Sequence, residues 1–244
     1  MGVHEMIQYI RQMSGKIGSS IYAGVQGQTN PQHISFLRQL QNELKAANGL
    51  ESPLDELEVV VFDLETTGFF PDKGDYVISI GAVKMVGDKP IADDTFYSLL
   101  KSEKPLDERI SSLTNIGDED LRSAPDASDV LIQFLNFIKS SILVAHHAKH
   151  EQSFMQKMTW DLMRSRFEHR IIDTSFLIRL EHPQASSLTL DQACLQCDIE
   201  IKDRHHALGD AKMTAQLWGY YINKAKHMGF RNLGEIYEYL AKLR

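Results

Sequence analysis

The sequence predicts an α/β fold in which a mixed β-sheet is covered by helices. Strand patterns come first, between about residues 58 and 100, and helical and strand patterns then alternate toward the end of the chain. Within the first group, residues 59–62 (Val-Val-Val-Phe) form a continuous apolar run, which is typical of a strand buried on both faces. This order of elements favours a mixed sheet with helices packed against it.

The first three predicted strands form an antiparallel meander. The strand at 59–62 is followed by apolar patterns over 76–84 and 95–100, and residues 87–90 (Gly-Asp-Lys-Pro) predict the turn between these two. An amphipathic helix is predicted over 128–140, where apolar residues recur at helical spacing. The remaining predicted elements are short strands at 142–145 and 171–172 and helices at 149–167, 187–197, 207–226 and 233–243.

Residues 1–50 differ in pattern from the rest of the chain. Apolar residues recur at helical spacing over 6–17 and again over 36–44, with a loop-like run between them. Two interpretations remain open, a helical extension packed on the main domain or an arm that docks onto a partner. We therefore predict three segments: a helical N-terminal extension at 1–50, a main domain at 51–230 and a C-terminal helix at 231–244.

The composition indicates a globular protein in a reducing compartment. Apolar residues make up 43% and charged residues 24% of the chain, as in ordinary soluble domains. The only two cysteines, Cys194 and Cys197, are too few for a disulfide framework. No run approaches the roughly 20 apolar residues that a membrane-spanning helix needs, and no secretory signal is visible at the N-terminus. We predict a cytoplasmic protein with no membrane association.

The net charge of −7 restricts how the chain could bind nucleic acid. Proteins that hold nucleic acid mainly by neutralising phosphates are usually basic. An acidic chain can still process nucleic acid if metal ions supply the positive charge at the reacting phosphate. Any capture of nucleic acid by this chain is therefore expected to be local, weak and metal-dependent.

A pair of carboxylates ends the first predicted strand. Asp63 and Glu65 are two residues apart, so on a strand their side chains point to the same face. Like charges held together raise each other's pKa unless cations neutralise them, and hard divalent ions such as Mg²⁺ or Mn²⁺ prefer such oxygen ligands. The pair predicts a divalent-metal site, and a solvated strand end is the alternative.

A second group of polar residues opens the long helix predicted over 207–226. His205 precedes this helix, and Asp210 lies near its first turn. A carboxylate at this place could reach a metal ion while a loop histidine takes a proton from water, since histidine side chains ordinarily titrate near neutrality. The alternative is that Asp210 stabilises the positive end of the helix and that the histidines are surface residues.

The motifs and their order resemble those of a known enzyme family. The matching segments are 63–68 (Asp-Leu-Glu-Thr-Thr-Gly), 113–125, which contains Leu-Thr-Asn-Ile and Ala-Pro, and 205–211 (His-His-Ala-Leu-Gly-Asp-Ala). In combination they resemble the DEDDh 3′–5′ exonucleases, which include the proofreading epsilon subunit of bacterial DNA polymerase III. The resemblance runs from about residue 57 to 221. It implies a ribonuclease-H-like fold, with a five-stranded mixed sheet and helices on both faces.

The resemblance also implies a chemical role for each motif residue. Asp63, Glu65 and Asp210 would be ligands of two Mg²⁺ or Mn²⁺ ions that clamp the scissile phosphate. His205 would be the general base that takes a proton from the attacking water. The main domain at 51–230 would then be an exonuclease domain.

The implied reaction releases nucleoside 5′-monophosphates from the 3′ ends of single-stranded DNA, in replication proofreading or repair. The backbone at Thr66 and Thr67 would contact the terminal nucleotide. Nucleic acid is the implied partner, together with a polymerase or a repair protein. An RNA-directed exonuclease of the same mechanism remains an alternative, because no residue can be assigned to reading the 2′-hydroxyl.

One motif departs from the family pattern. The family's middle motif, typically Ala-His-Asn-Ala-x-Phe-Asp, aligns with residues 145–151, where the metal-binding aspartate is Glu151, the asparagine is His147 and the phenylalanine is His150. Glutamate is a competent ligand, but its extra methylene moves the carboxylate. The sequence therefore leaves two possibilities, a working enzyme with Glu151 as fourth metal ligand or an impaired relative that binds strand ends. The replacement Glu151→Asp distinguishes them.

Other polar residues favour structural roles. Cys194 and Cys197 are predicted to be buried on a helix rather than to bind zinc. Asp173 or Thr174 is predicted to cap a helix rather than to supply a further ligand. The cations nearest the expected site could contact phosphates or be solvated, and they are Lys149, Lys202 and Arg204.

Overall fold

The computed structural model of the protein describes residues 39–40, 43–44, 49–183 and 188–243. Most of the helical extension predicted at 1–50 lies outside the described residues, so its two interpretations stay predictions. Within the described part of that segment, Leu40 is buried in the core and Leu44 packs beside it. The division of the chain into segments at 1–50, 51–230 and 231–244 also stays a prediction.

The structure contains a five-stranded mixed sheet, as predicted. The strands are β1 (Glu58–Thr66), β2 (Val77–Val86), β3 (Lys89–Leu99), β4 (Ile142–Ala145) and β5 (Ile171–Asp173). Their order across the sheet is β3-β2-β1-β4-β5. The first three strands form an antiparallel meander, and β4 and β5 continue it in parallel with β1. As a result, the carboxyl ends of β1, β4 and β5 share one edge of the sheet.

Helices cover both faces of this sheet. A short 3₁₀ turn, Pro71–Lys73, lies between β1 and β2. The helices after residue 49 are α1 (Glu108–Thr114), α2 (Asp118–Ser123), α3 (Ala127–Ile138), α4 (Lys149–Met163), α5 (Ser175–Ile178), α6 (Leu190–Gln196), α7 (Ala207–His227) and α8 (Leu233–Lys242). No helix in the described part of the chain is long and apolar enough to cross a membrane.

The central strand β1 separates two layers of core. Val59 and Val61 face the cluster that includes α7 and α8, and Val60 and Phe62 face the cluster that includes α3 and α4. Because successive side chains alternate between faces, a strand covered on both sides must be apolar throughout, which explains the continuous run at 59–62. Asp63 continues the row of Val59 and Val61, so it points toward the face on which α7 lies.

Several boundaries differ from the sequence prediction. β3 begins at Lys89 instead of Thr95, because Lys89 and Pro90 already pair with β2 and 91–94 continue the edge strand across an irregularity in the pairing. This part of the strand is largely exposed, so it has no apolar alternation to predict it. The short helices α1 and α2 were not predicted, since their ends are set by caps rather than by an apolar period. Asp107 accepts a hydrogen bond from the Arg109 backbone at the start of α1. The predicted helix at 149–167 ends at Met163 because the next residue, Arg164, is left-handed.

Candidate active site

The first two predicted site residues stand side by side at the end of β1. Asp63 is partly accessible and Glu65 is buried. Both lie on the face of the sheet that α7 covers, as the two-residue period requires. The strand therefore delivers two carboxylates to a region that protein atoms largely enclose.

Two glycines allow the start of α7 to approach these carboxylates. Gly81 on β2 pairs directly with Asp63, and a Cβ on Gly81 would lie 2.1 Å from the backbone nitrogen of Leu208. On the helix itself, a Cβ on Gly209 would lie 2.2 Å from the carbonyl oxygen of Asp203. Such distances exclude any larger residue without displacement of backbone. Both contacts hold the first turn of α7 close against the sheet.

This packing brings Asp210 to the strand carboxylates. One ligand atom from each of Glu65, His205 and Asp210 can be chosen so that all three lie within 4.8 Å of one another. Asp210 is buried, and its Oδ2 accepts a hydrogen bond from the backbone nitrogen of His205 at 3.3 Å. His205 itself has a left-handed backbone, with φ of 59°. The two separate motifs of the sequence thus meet in one cluster.

Glu151 lies outside the close group of Glu65, His205 and Asp210 but near enough to Asp63 and Glu65 to interact with their charges. It lies in the first turn of α4, directly after the carboxyl end of β4, and is 3% exposed. Among neighbouring charges, Glu151 contributes most to raising the pKa of Asp63. Glu151 Oε2 and Asp210 Oδ1 are buried oxygens without a hydrogen-bond partner among the described residues. Buried oxygens of this kind are costly unless another group satisfies them.

Burial and mutual repulsion disfavour the ionised forms of these carboxylates. Burial and the neighbouring Asp210 raise the pKa of Glu65 to about 7. Burial, with contributions from Asp173 and Glu65, raises the pKa of Glu151 to about 8. The pKa of Asp63 is raised well above its usual value by burial and by Glu151. In the metal-free protein the cluster therefore lacks enough positive charge to keep every carboxylate ionised.

These shifts predict an unusual pH dependence of stability in the presence of chelator. Between pH 4.5 and the raised values of about 7 and about 8, the folded protein holds protons on Glu65 and Glu151 that the unfolded chain has lost. Stability must then fall as the pH rises. From pH 6.5 to 8, the unfolding temperature is expected to drop by several degrees, at about 2–4 °C for each kcal/mol in a chain of this size.

Above pH 6.5, the pH dependence of stability reports the carboxylates without the opposing contribution of His146. Burial lowers the pKa of His146 to about 4, so this histidine destabilises the fold only below its ordinary value of 6.5. Thermal unfolding should be followed at several pH values with chelator and with saturating Mg²⁺, which binds the ionised carboxylates and should abolish the drop. Glu151→Gln should flatten the upper part of the curve, whereas Glu58→Gln, exposed at the other end of β1, should not. If the unfolding temperature in chelator stays level or rises between pH 6.5 and 8, the raised pKa values of Glu65 and Glu151 are wrong.

Arg204, for which the sequence leaves open contact with phosphates or solvation, instead contacts a carboxylate of the cluster. The Arg204 guanidinium pairs through Nη1 with Asp210 and through Nε with Asp191, which lies in the first turn of α6. Arg204 also lowers the pKa values of Asp63 and Glu65, where it opposes the other influences. Sequence reasoning missed Asp191, because no local pattern links it to Arg204.

Beside the cluster lies a groove of about 640 Å³. Its lining includes Tyr97, Leu113, Asn115, Arg204, His206 and Lys212. The ring of His206 stacks on Tyr97 with centroids 4.4 Å apart, and its Nδ1 accepts a hydrogen bond from the Gly209 backbone. The groove therefore combines two cations, two acids, a stacked aromatic wall and several apolar side chains, and it adjoins the cluster through Arg204, which pairs with Asp210. On the opposite side, Phe69 is 79% exposed just beyond β1.

The geometry of the site agrees with the protein family that the sequence matches. The RNase_T family model, described as "Exonuclease", matches residues 60–218, a stretch that contains the four carboxylates and His205. The chain belongs to this exonuclease family. The family resemblance seen in the motifs is therefore confirmed.

Individual relatives and solved structures are also similar to this chain, in sequence and in fold respectively. A protein of Rhodobacter capsulatus named DNA polymerase III subunit epsilon-like protein is 31% identical over 188 residues, which are 76% of this chain but only 27% of that relative. E. coli Exonuclease I in complex with a dT13 oligonucleotide has a TM-score of 0.59 at 12% identity, over 70% of this chain and 42% of that chain. A 3′-exonuclease described for 3′-end specific recognition of histone mRNA stem-loop has a TM-score of 0.61 at 17% identity, over 78% and 71%. At these identities the two structures establish the fold, which confirms the ribonuclease-H-like prediction.

The two threonines after Glu65 use their hydroxyls locally. Thr66 Oγ1 donates to the Gly68 carbonyl at 2.7 Å and lies 3.3 Å from Nε2 of His150. Thr67 Oγ1 accepts from the Tyr76 backbone at 3.0 Å. These bonds fix the turn that follows β1. Contact of the threonine backbone with a nucleotide stays a prediction.

Residues 146, 147 and 150, in the segment that departs from the family's middle motif, have separate surroundings. His150 packs against Phe69 and Phe154, with ring centroids 5.8 and 4.7 Å away, and thus takes the place of an aromatic side chain. His147 is exposed and has a left-handed backbone, with φ of 63°. The neighbouring His146 is buried and lies 2.6 Å from Thr174 Oγ1 and 2.8 Å from the Leu188 carbonyl.

The residues with predicted structural roles are buried or bond to helix starts. Cys194 and Cys197 are free and buried, with Cys194 in α6 and Cys197 at its end. Asp173 Oδ1 accepts from the Ser175 backbone at 2.8 Å, and its Oδ2 accepts from the Ala148 backbone at 2.9 Å. Asp173 thus caps α5 and also ties the start of α4 to the end of β5.

Proposed function

We propose that the chain is a divalent-metal-dependent 3′–5′ exonuclease that releases nucleoside 5′-monophosphates from single-stranded DNA ends. The observation that carries this proposal is the convergence of carboxylates from β1, α4 and α7 beside a histidine. A pair of acidic residues at a strand end is common. A cluster of four, mostly buried and enclosed by three elements, is costly to build unless cations occupy it.

The residues present fit Mg²⁺ or Mn²⁺. Asp63, Glu65, Glu151 and Asp210 would hold the ions, and they offer the hard oxygen donors that these metals prefer. The buried Oε2 of Glu151 and Oδ1 of Asp210, which have no partner among the described residues, mark where coordination would satisfy the protein. When bound, two such ions supply positive charge at the scissile phosphate and favour deprotonation of the attacking water.

His205 is the proposed general base. Its ring lies in the cluster with Glu65 and Asp210, so a nitrogen is available beside the place where the phosphate would bind. Its left-handed backbone and the bond from its backbone nitrogen to Asp210 hold the backbone of His205 against the start of α7. In the proposed reaction, a ring nitrogen of His205 takes the proton of the attacking water.

The surroundings of the cluster suit a frayed strand end. The groove lined by Tyr97 and Lys212 offers a stacked aromatic surface and a lysine that could contact a phosphate beside the carboxylates. Phe69 exposes its ring on the other side, and bases of any sequence stack on such aromatic side chains. A duplex terminus would have to open before its last nucleotide could reach the enclosed carboxylates.

The biological setting is also a proposal. The Rhodobacter relative is named as a polymerase subunit-like protein, which supports proofreading or repair with a polymerase or repair protein as partner. Two free, buried cysteines are consistent with the proposed cytoplasmic location.

The test is degradation of a strand labelled at its 5′ end. With Mg²⁺ or Mn²⁺, the expected products are a ladder of strands shortened one nucleotide at a time, and nucleoside 5′-monophosphates should be recovered by chromatography. Excess chelator should abolish both. Release of the 5′ nucleotide first, or full activity in chelator, would rule out the proposed reaction.

Three matched substrates decide the substrate class. Single-stranded DNA, a DNA duplex with a mismatched 3′ terminus and single-stranded RNA of the same sequence should be compared at equal concentration. We expect single-stranded and mismatched DNA to be degraded faster than RNA. A faster rate on RNA would favour the RNA-directed alternative, for which the structural neighbour that recognises a histone mRNA stem-loop is the precedent.

A further inference from the structure

Arg204 is the cation that contacts the carboxylate cluster directly in the described structure. Its Nη1 pairs with Oδ2 of Asp210. The other oxygen of that carboxylate, Oδ1, is buried without a partner among the described residues. Arg204 therefore occupies Oδ2 of Asp210, and its positive charge lies beside Oδ1, the oxygen that is left for a metal ion.

The guanidinium has a second partner outside the cluster. Its Nε pairs with Asp191 on α6. The Asp191 side chain is 45% exposed, whereas the Asp210 side chain is 6% exposed, so the two carboxylates differ strongly in their solvation. The planar guanidinium fork allows one arginine to hold both at once. If Asp210 were taken by a metal ion, Arg204 would still have Asp191.

The loop that carries Arg204 is fixed at both ends. Asp203 and His205 on either side are left-handed, with φ of 52° and 59°. Gly209 permits the Asp203 carbonyl to lie against α7. The backbone of the loop thus sets the position of Arg204 between α6 and α7.

We propose that the positive charge of Arg204 neutralises and holds Asp210 in the metal-free protein. Its competition with metal for Asp210 sets the affinity of the site for divalent metal. A metal ion at Oδ1 and the guanidinium at Oδ2 place two positive charges on one carboxylate, so loading the site weakens the hold of the guanidinium on Asp210, and Asp191 retains the guanidinium when Asp210 is released. Arg204 is thus a positioning residue for Asp210. This inference rests on the proposed function, since it assumes that the cluster binds metal.

Substitutions of Arg204 and of its partner Asp191 should change the affinity for Mn²⁺ in opposite directions. Arg204→Gln removes both the competing bond and a repulsive positive charge, so Mn²⁺ should bind about tenfold more tightly. Asp191→Asn leaves Arg204 with Asp210 alone, so Mn²⁺ should bind several-fold more weakly. In the double variant, Asp191→Asn should have almost no effect, because the residue through which it acts is absent. Arg204→Lys, which cannot hold both carboxylates in the same way, should lie between wild type and Arg204→Gln.

Mn²⁺ affinity should be measured on the full chain by calorimetry and by electron paramagnetic resonance of free Mn²⁺, without nucleic acid. Lys89→Gln makes the same change of charge at an exposed position at the far end of the sheet and should leave the affinity unchanged. In chelator, Arg204→Gln should also unfold at a lower temperature than wild type, and saturating Mn²⁺ should remove this difference. A merely structural role would weaken metal binding, not tighten it.

The outcomes separate this inference from the proposed function. Mn²⁺ binding by wild type that Arg204→Gln leaves unchanged or weakens would overturn the role of Arg204 and leave the exonuclease proposal standing. An equal effect of Asp191→Asn on the Mn²⁺ affinity of the wild type and of the Arg204→Gln variant would also overturn the role of Arg204. Absence of any Mn²⁺ binding by the wild-type chain would remove both proposals together.

Discussion

Asp63→Asn and Asp210→Asn are each expected to lower the rate of 3′-end degradation by about 1000-fold. Each change removes one of the charged oxygens that are proposed to bind metal, and the other members of the cluster cannot replace it. Metal ions stabilise the transition-state charge by several kcal/mol, and a loss of about 4 kcal/mol corresponds to that factor. The rate should be measured in single-turnover experiments on labelled single-stranded DNA at saturating Mg²⁺.

The stability of the two variants should differ in an informative way. Burial and neighbouring acids raise the pKa of Asp63, so removing its charge relieves repulsion, and the metal-free protein should become more stable. Asp210→Asn instead loses the ion pair with Arg204 and should gain little or nothing. An inactive Asp63→Asn variant that is at least as stable as wild type could not owe its inactivity to misfolding.

Two controls complete this experiment. Glu58→Gln neutralises an exposed carboxylate at the opposite end of β1 and should leave the rate unchanged. His205→Asn should lower the rate while Mn²⁺ still binds, because the proposed role of His205 is to move a proton. If Asp63→Asn degrades DNA at the wild-type rate, the cluster is not the catalytic site.

The central part of this site could be predicted because each half lies in one short segment. The two-residue period of a strand is enough to place Asp63 and Glu65 on one face. Asp210 follows from its place near the start of a long helix. What joins the halves is Gly81, whose missing side chain lets α7 cross β2 beside Asp63. No local pattern shows this role of Gly81, so only the family resemblance could predict that the halves meet.

The parts that could not be predicted depend on contacts between distant loops. Arg204 was assigned to phosphate or solvent, whereas its pairing with Asp191 and Asp210 depends on how α6 and α7 pack and on the left-handed backbone around it. The short helices α1 and α2, which place Leu113 and Asn115 at the groove, are too short to display a helical period. Hydrophobic periodicity reports burial within one element and carries no information on the orientation of a loop.

Glu151→Asp tests whether the departure from the family pattern is compatible with activity, and we expect it to lower the rate by about 100-fold. Glu151 is buried in the first turn of α4, and its carboxylate already lies among Asp63 and Glu65. Shortening the side chain by one methylene withdraws that carboxylate by about 1 Å, and misplacement by this distance can cost on the order of 100-fold. The backbone of α4 is tied to β5 through Asp173, so it cannot advance to compensate.

The competing hypothesis of an impaired strand-end-binding module predicts the reverse. If glutamate holds activity down, aspartate should restore the family's ligand and raise the rate. Single-turnover rates should be compared in Mg²⁺ and in Mn²⁺, because a displaced carboxylate is tolerated better by the metal with the less strict geometry. Glu168→Asp makes the same substitution at an exposed position and should have no effect. The four-carboxylate cluster favours a decrease, since a glutamate that did not bind metal would leave a buried oxygen unsatisfied for no gain.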